Sequence, residues 1–366
     1  MVSLTMTPNY STGSVRKFVS GTAKLDFRDA LIVPRKTSVI SRKDVSLSRH
    51  ITFKNNVCWE GTPIIASNMD TVSNLETFKV LSKYDYITCF PKFYNKIWLN
   101  QSVPEELAHT DHYMISCGVS EYDITMASKL INKLALMGHS VKFVCIDVAN
   151  GYMTSVNDAC IKMRYMHPNI VLVAGNVVTP EATYDLIENA GVDIVKIGIG
   201  SGSVCTTRLK AGVGYPQLAA VLDCCHAAHS AKGYIISDGG IIHPCDISKA
   251  FGAGADFVMC GSMFAGHIES PGEVFEDPHD LCLYKKLYGM SSYTANEKYN
   301  DGLQEYRAAE GKEVTILIKG SLHDTIKDIN GSLRSTCTYT NSKSIGELEK
   351  NVRFIEVAHH HNTSLG

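Results

Sequence analysis

Eight short apolar segments recur along the chain, and they constrain its fold more than any other feature. Each is rich in β-branched or aromatic residues, and each is followed by glycine or polar residues. Continuous rather than alternating apolar runs are typical of a parallel sheet that is buried on both faces. The segments are residues 63–66, 86–89, 113–117, 142–147, 170–174, 193–197, 234–237 and 256–260.

Helix-like stretches separate these segments, for example at 122–137 and 156–166. Eight strand–helix units in succession predict an α/β fold, a (β/α)8 (TIM) barrel. A doubly wound sheet is the alternative, although eight strands would be many for it. Its dinucleotide fingerprint is incomplete here, because the glycines at 198, 200 and 202 lack the third glycine of GxGxxG.

Composition excludes several classes of function. The net charge is -2 at pH 7 without a clustered basic face, so we expect no nucleic-acid partner. No apolar run reaches the ~18 residues that span a bilayer, so we expect no membrane segment. The twelve cysteines are scattered without a CxxC pair, which indicates reduced thiols and predicts a cytoplasmic protein.

Three regions of different composition divide the chain. Residues 1–23 are rich in serine and threonine and contain no acidic residue, which predicts a disordered N-terminal extension. Residues 24–366 are predicted to form a single barrel domain. Within it, residues 267–319 are polar and turn-rich, and such a long segment at a barrel mouth is usually a lid, a binding loop or disordered. We expect a mobile lid.

The loop after the sixth apolar segment is the strongest candidate for a reaction centre. Its three glycines allow positive φ and close approach of the backbone, and a thiol, two hydroxyls and a guanidinium follow at 205–208. In a barrel, function gathers at the carboxyl ends of the strands. Cys205 is therefore a candidate nucleophile that needs neighbouring donors or positive charge to become a thiolate. The alternative is a small, buried structural cysteine.

Two further residues are candidates for proton transfer. Thr207 lies two residues after Cys205 and is placed to relay a proton. Glu310, in the lid, supplies or accepts that proton if the lid closes over the loop. Spacing alone does not bring Glu310 to Thr207, and by itself it favours a solvated loop carboxylate.

Two glycine motifs at neighbouring strand ends indicate a phosphate site. Residues 238–240 (DGG) and 261–262 (GS) follow the seventh and eighth segments, where barrels commonly bind phosphate through backbone N–H groups. Ser203 adds a hydroxyl donor. Asp238 would repel a phosphate, so it more plausibly accepts hydrogen bonds from ribose hydroxyls. A nucleotide fits this set of groups, although tight turns without a ligand are the alternative.

Long stretches of the sequence resemble the IMP dehydrogenase/GMP reductase family, from about residue 24 to the end. Within that family the likeness is closest to the reductases. The stretches are 68–72 (NMDTV), 147–152 (DVANGY), 198–208 (GIGSGSVCTTR), 212–217 (GVGYPQ), 236–240 (ISDGG), 253–259 (AGADFVM), 288–292 (YGMSS), 306–312 (YRAAEGK) and 333–339 (LRSTCTY).

The resemblance implies a (β/α)8 barrel, usually a homotetramer, that converts GMP and NADPH to IMP, ammonia and NADP. It implies that Cys205 attacks C2 of the purine while Thr207 and Glu310 assist the departure of ammonia. For GMP it implies phosphate and ribose contacts at Ser203, Asp238, Gly239, Gly240, Gly261 and Ser262. It implies base contacts at Gly289, Met290, Ser291, Arg307, Ala308, Ala309 and Gly311.

The same resemblance implies the cofactor and cation sites. NADPH would lie over Asp147, Val148 and Ala149, with its adenosine end near Ser41, Arg42 and Lys92. Two cations there suit a 2′-phosphate. Ser335, Thr336, Cys337 and Thr338 would reach the cofactor of a neighbouring subunit. The carbonyls of Gly200 and Gly202 correspond to the family's monovalent-cation loop, which implies K+.

Three positions depart from the family's usual pattern. Ser201 replaces a proline, which would loosen the loop, Pro91 replaces a histidine beside Lys92, and Ser262 replaces the second glycine of a pair. An IMP dehydrogenase, which oxidises IMP with NAD, is the main alternative function. Residues 95–112 leave no room for the regulatory domains usually inserted in that enzyme, and the lid has no equivalent of its Arg-Tyr pair. A nucleotide-sensing or scaffold barrel without activity is a third possibility.

Overall fold

A computed structural model describes residues 24–108, 110–299 and 301–357. The predicted N-terminal extension, 1–23, lies outside the described residues. The strands are β1 Ala30–Ile32, β2 Arg49–Thr52, β3 Cys58–Gly61, β4 Ile64–Ala66, β5 Ile87–Phe90, β6 Tyr113–Cys117, β7 Phe143–Asp147, β8 Val171–Val177, β9 Ile194–Ile197, β10 Tyr234–Asp238, β11 Phe257–Cys260, β12 Phe275–Glu276, β13 Leu283–Tyr288, β14 Glu313–Leu317 and β15 Phe354–Glu356. The helices are α1 Leu75–Leu81, α2 Phe93–Asn100, α3 Glu121–Leu136, α4 Thr154–Met166, α5 Pro180–Glu188, α6 Thr207–Lys210, α7 Gln217–Ser230, α8 Pro244–Gly252, α9 Tyr293–Tyr299, α10 Leu322–Tyr339 and α11 Leu348–Asn351.

Strands β4 to β11 form a closed parallel barrel, which confirms the predicted fold. The barrel closes where β11 pairs with β4, with Val258 opposite Ile64. All eight predicted segments are strands. β8 runs three residues beyond its predicted end at 174, because Gly175 and Val177 still pair with β9 across a shift in register.

Side-chain caps fix where several of the helices begin. The side chains of Asn74, Ser120 and Ser321 accept hydrogen bonds from backbone N–H groups in the first turns of α1, α3 and α10. Proline occupies the first position of α5 and of α8, where its missing N–H costs nothing. These local signals start the helices that cover the barrel, and their apolar faces pack on its outer surface.

Two apolar cores lie on either side of the barrel wall. The larger fills the space between the strands and the surrounding helices. The smaller fills the barrel interior, where the hairpin β2–β3 plugs the amino-terminal end with Ile51, Phe53 and Trp59. The Trp59 ring lies 6.0 Å from that of Phe143 and 5.4 Å from that of Phe257, at the starts of β7 and β11.

The predicted lid, residues 267–319, carries secondary structure of its own. Strands β12, β13 and β14 form an antiparallel sheet, and α9 follows β13. Lys285, on β13, is buried and donates to the carbonyls of His267 at 2.8 Å and Ser270 at 2.6 Å. Strand β13 is therefore held to the first residues of the lid.

No helix in the described ranges has both the length and the apolar character needed to cross a bilayer.

The plug at the closed end of the barrel generates a stability prediction. We expect Trp59→Ala to lower the free energy of unfolding by about 3–5 kcal/mol, because it leaves a cavity between Phe143 and Phe257. Urea denaturation followed by circular dichroism measures the change. Leu136→Ala is the control, because that side chain is 90% exposed. An equal loss in both variants would contradict the role of the plug.

Candidate active site

The loop after β9 packs closely on the end of the neighbouring strand β10. Gly198 has φ +151°, and a Cβ built there would lie 2.0 Å from the carbonyl oxygen of Asp238. Only glycine fits that contact. Ser201 donates to the same carbonyl at 3.2 Å, a bond that a proline at this position would not form. The loop is thereby held against β10.

Cys205, Thr207 and Glu310 form a continuous hydrogen-bonded chain. The Sγ of Cys205 lies 3.2 Å from the Oγ1 of Thr207, and that hydroxyl lies 2.7 Å from the Oε2 of Glu310. Cys205 is a free thiol and is only partly buried. The structure therefore provides a nucleophile that solvent and ligands can reach, with a route for its proton to a carboxylate.

Backbone pairing between the loop and the lid brings Glu310 into place. Cys205 pairs with Gly311 in an antiparallel bridge. On either side of it, the Thr206 amide donates to the Glu310 carbonyl at 2.8 Å, and the Lys312 amide donates to Val204 at 2.9 Å. Glu310 is thus fixed beside Thr207 by strand-like hydrogen bonds, a placement that sequence spacing did not provide.

A cavity of about 260 Å³ lies over this hydrogen-bonded chain at the carboxyl ends of the barrel strands. It brings together the three predicted catalytic residues and predicted substrate and cofactor residues. Those in its lining are Cys205, Thr207, Glu310, Asp147, Val148, Ala149, Asp238, Gly239, Gly289, Met290, Ser291 and Gly311.

A smaller cavity of about 80 Å³ adjoins it and shares Asp238 and Gly239. Its lining contains all six residues predicted for phosphate and ribose, namely Ser203, Asp238, Gly239, Gly240, Gly261 and Ser262. Backbone N–H groups of glycines and two serine hydroxyls are suitable donors for a phosphate. Ser262 keeps its place in this set despite replacing a glycine.

Three residues predicted to contact the base do not line the 260 Å³ cavity. Arg307 and Ala308 are exposed and are not among its lining residues, and the Arg307 guanidinium lies over the Tyr306 ring at 5.7 Å. Ala309 is buried, and its carbonyl accepts from the Thr206 hydroxyl at 3.4 Å. Their contact with a purine stays a prediction.

Sequence reasoning predicted Asp147 and Asp238 but missed Lys196, Asn68 and Asn176, which contact these two carboxylates on the floor of the cavity. Lys196, inside strand β9, is 2% exposed, and its ammonium lies 2.5 Å from Asp147 and 3.2 Å from Asp238. Asn68 donates to Asp147 at 2.9 Å, and Asn176 donates to Asp238 at 2.8 Å. A lysine within an apolar strand is the signal that should have pointed here, because a buried lysine requires partners.

This network sets the charges of its members. Burial opposes the charge of Lys196, but Asp147 and Asp238 outweigh it and hold the Lys196 pKa well above its ordinary value. Burial likewise opposes ionisation of Asp147, but the Lys196 charge and the hydrogen bonds from Lys196 and Asn68 hold the pKa of Asp147 below its ordinary value. The cavity floor therefore carries two carboxylates around one ammonium.

A third cavity, of about 580 Å³, meets the 260 Å³ cavity at Met290 and at Asp147, Val148 and Ala149, which line both. Lys92, Lys96 and Pro91 also line it, together with the Tyr299 ring from the lid. A flat ring bound in the 580 Å³ cavity would lie beside a ligand in the 260 Å³ cavity. Lys92 and Lys96 place two cations in the lining of this cavity, and Asp123, which also lines it, lies 3.6 Å from the Lys92 ammonium.

The other predicted cofactor residues do not line the 580 Å³ cavity. Ser41 is the N-cap of a 3-10 turn, Arg42–Asp44, and this turn contacts α10. In the predicted set 335–338, Cys337 is fully buried in its own subunit, and Thr336 is hydrogen-bonded to Ser248 at 2.9 Å. Ser335 and Thr338 remain partly exposed. Their contact with a neighbour's cofactor stays a prediction.

The predicted K+ site at the carbonyls of Gly200 and Gly202 stays a prediction. The Gly202 carbonyl accepts the Cys205 amide at 3.0 Å, and a carbonyl oxygen has a second lone pair. In the described part of the chain, no group of three or more His, Cys, Asp or Glu side chains is arranged to hold a metal ion. The ion stays an implication of the family resemblance, and no chemical step below uses it.

The Lys196 network generates a prediction with a pH dependence. Lys196→Met leaves Asp147 and Asp238 uncompensated, and we expect the free energy of unfolding to fall by about 3 kcal/mol at pH 7. In the wild type, the lowered pKa of Asp147 contributes stability above its unfolded pKa, and this is lost as pH falls through the folded value. In the variant, burial favours protonation of Asp147, so the difference between the proteins should shrink towards about pH 4. Urea denaturation at both pH values measures it.

Lys54→Met is the matched control, because the Lys54–Glu188 pair is 37% and 39% exposed. Its loss should stay below about 1 kcal/mol. Equal losses in the two variants, or a Lys196→Met deficit that grows as pH falls, would contradict the interpretation of the network.

Comparisons with known proteins agree with this geometry. The profile of the IMP dehydrogenase / GMP reductase domain matches residues 24–363. The GMP reductase of Shewanella pealeana is 46% identical over 345 residues, which cover 94% of this chain and 97% of that protein. Human GMP reductase 2 is 45% identical over 93% of this chain and 96% of its own length, and mouse GMP reductase 1 is 46% identical over 94% and 98%. The chain belongs to the IMP dehydrogenase/GMP reductase family.

Proposed function

We propose that this protein is a GMP reductase, an oxidoreductase that converts GMP and NADPH to IMP, ammonia and NADP. The observation that carries the proposal is the hydrogen-bonded series of Cys205, Thr207 and Glu310, which lines the cavity of about 260 Å³. The similarity to curated GMP reductases over more than nine-tenths of the chain supports the same activity.

The first half of the reaction uses the hydrogen-bonded chain directly. The Cys205 sulfur attacks C2 of the guanine ring, and a carbon–sulfur bond replaces the bond to the exocyclic nitrogen. The thiol proton passes through Thr207 to Glu310, and from there to the departing nitrogen, which leaves as ammonia with its bonding pair. An amine leaves poorly unless it is protonated, so this proton route lowers the barrier to departure.

The second half replaces sulfur by hydrogen at the same carbon. NADPH, when bound, supplies the hydride for that replacement. The chain's own part is to hold the covalent adduct beside the 580 Å³ cavity and to release Cys205 as a thiolate. Met290 and Asp147 to Ala149 line both spaces, so they are placed to keep the two reactants adjacent and to exclude water.

Recognition of the phosphorylated partners rests on separate groups. The 80 Å³ cavity, with its glycine amides and the hydroxyls of Ser203 and Ser262, suits the phosphate of GMP. Lys92 and Lys96 in the 580 Å³ cavity support NADPH over NADH, because a 2′-phosphate needs cationic partners.

Ser335 and Thr338 are partly exposed on one chain, so they leave a surface for the family's homotetramer. Twelve scattered cysteines without a CxxC pair support a reducing, cytoplasmic setting.

One assay tests the function against its alternatives. Nicotinamide absorbance is followed with GMP plus NADPH, and separately with IMP plus NAD. We expect NADPH oxidation in the first mixture and none in the second, and we expect Cys205→Ala to abolish it because the nucleophile is gone. Activity only in the second mixture would identify an IMP dehydrogenase. Silence in both would favour a scaffold.

Glu310→Gln should separate the two halves of the reaction. We expect release of ammonia to slow by about 100-fold or more, because the acid that protonates the leaving nitrogen is lost. The hydride step is read alone with IMP plus NADP, which forms the covalent adduct and NADPH without ammonia, and it should slow much less. Glu305→Gln, an exposed lid carboxylate, is the control. Equal slowing of both steps would reject the assigned role.

A further inference from the structure

A buried carboxylate joins the lid to the barrel, outside the three cavities described above. Asp70 follows β4, and its side chain is 1% exposed. Its Oδ2 accepts hydrogen bonds from the hydroxyl of Tyr288 at 2.6 Å, the hydroxyl of Tyr299 at 2.7 Å and the ammonium of Lys298 at 3.1 Å. All three donors belong to the lid, so three bonds between lid and barrel converge on one oxygen. We call these four residues the Asp70 clasp.

The charges within the Asp70 clasp are complementary. Lys298 offsets the buried carboxylate, and its ammonium also lies 5.2 Å from the centre of the Tyr299 ring. Burial and the bond to Asp70 raise the pKa of Tyr288 and of Tyr299 well above the ordinary value, so both hydroxyls keep their protons and donate. Bonds to an ionised acceptor are stronger than bonds between neutral groups.

The two tyrosines lead to different binding spaces. Tyr288 ends β13 and is followed directly by residues 289–291, which line the 260 Å³ cavity. Tyr299 lines the 580 Å³ cavity, where its ring stacks on Phe93 with centroids 5.1 Å apart and planes 9° apart. Asp70 is not among the described residues that line either cavity. The Asp70 carboxylate therefore holds part of the lining of both the 260 Å³ and the 580 Å³ cavity, although it lines neither cavity itself.

We propose that Asp70 is a positioning residue that sets the geometry of the GMP-binding loop and of the cofactor cavity together, by docking the lid through Tyr288, Tyr299 and Lys298. This inference rests on the proposed function for its kinetic consequences. Its structural content, the docking of the lid, holds independently of which substrates are bound.

The kinetic test uses three variants of the full chain. Asp70→Asn keeps the size of the side chain and removes its charge, and we expect KM for GMP and KM for NADPH each to rise by about tenfold. We expect kcat to change by less than about threefold, because no reacting group is altered. Tyr288→Phe should raise mainly KM for GMP, and Tyr299→Phe mainly KM for NADPH.

Tyr284→Phe is the matched control. Tyr284 lies on the same lid strand and donates to Asp280 at 2.5 Å, a tyrosine–carboxylate bond that stays within the lid. We expect both KM values to remain at wild-type level in this variant. Equal changes in Tyr284→Phe and Asp70→Asn would overturn the proposal, and so would an Asp70→Asn protein with a lowered kcat and unchanged KM values.

Hydrogen exchange of the ligand-free protein reads the docking without any substrate. Backbone amides of 289–299 should exchange faster in Asp70→Asn than in wild type, and at the wild-type rate in Tyr284→Phe. Unchanged exchange in Asp70→Asn, Tyr288→Phe and Tyr299→Phe would overturn the proposal that Asp70 docks the lid. If wild type fails to turn over GMP, the proposed function fails, while the exchange comparison still decides whether Asp70 docks the lid. If Asp70→Asn does not fold, Tyr288→Phe and Tyr299→Phe still test the proposal.

Discussion

Closure of the barrel between β11 and β4 is the constraint on which the rest of the structure depends. Its hydrogen bonds, continued by the Ser67 amide donating to Cys260 at 3.0 Å, bring the start and the end of the barrel sequence side by side. Residues 261–262, predicted to bind phosphate, and the buried Asp70 thereby come to one rim, although almost two hundred residues separate them in the chain. Parallel strands in a ring place all eight carboxyl ends on that rim, so loops of unrelated sequence share one cavity.

A second constraint is the cost of charge inside an apolar wall. Lys196 lies within a barrel strand, and its charge is tolerated because two carboxylates face it from the carboxyl ends of β7 and β10. The same arrangement makes the floor of the cavity polar while the barrel interior below it stays apolar. The buried lysines 196 and 285 are each held by at least two oxygens, and each joins separate segments of the chain.

The sequence predicted what depends on local pattern and failed where tertiary pairing decides. Continuous apolar runs were enough to predict eight strands, and two-residue spacing was enough to pair Cys205 with Thr207. Glu310 was different, because its position follows from backbone bonds between two loops that no periodicity encodes. Lys196 was passed over because one cation in a run of apolar residues does not alter the strand pattern. Arg307 stays a prediction of the family motif, because it is exposed and is not among the residues that line the 260 Å³ cavity.

The bridge between Cys205 and Gly311 has a consequence for timing. The ladder that contains it also holds Glu310, so the lid cannot carry the Glu310 backbone away from Cys205 unless hydrogen bonds break on both sides of Cys205. Displacing that part of the lid would disconnect the nucleophile from its proton acceptor. When this part of the lid opens to admit or release a nucleotide, Cys205 therefore loses its proton route to Glu310 until the lid closes again.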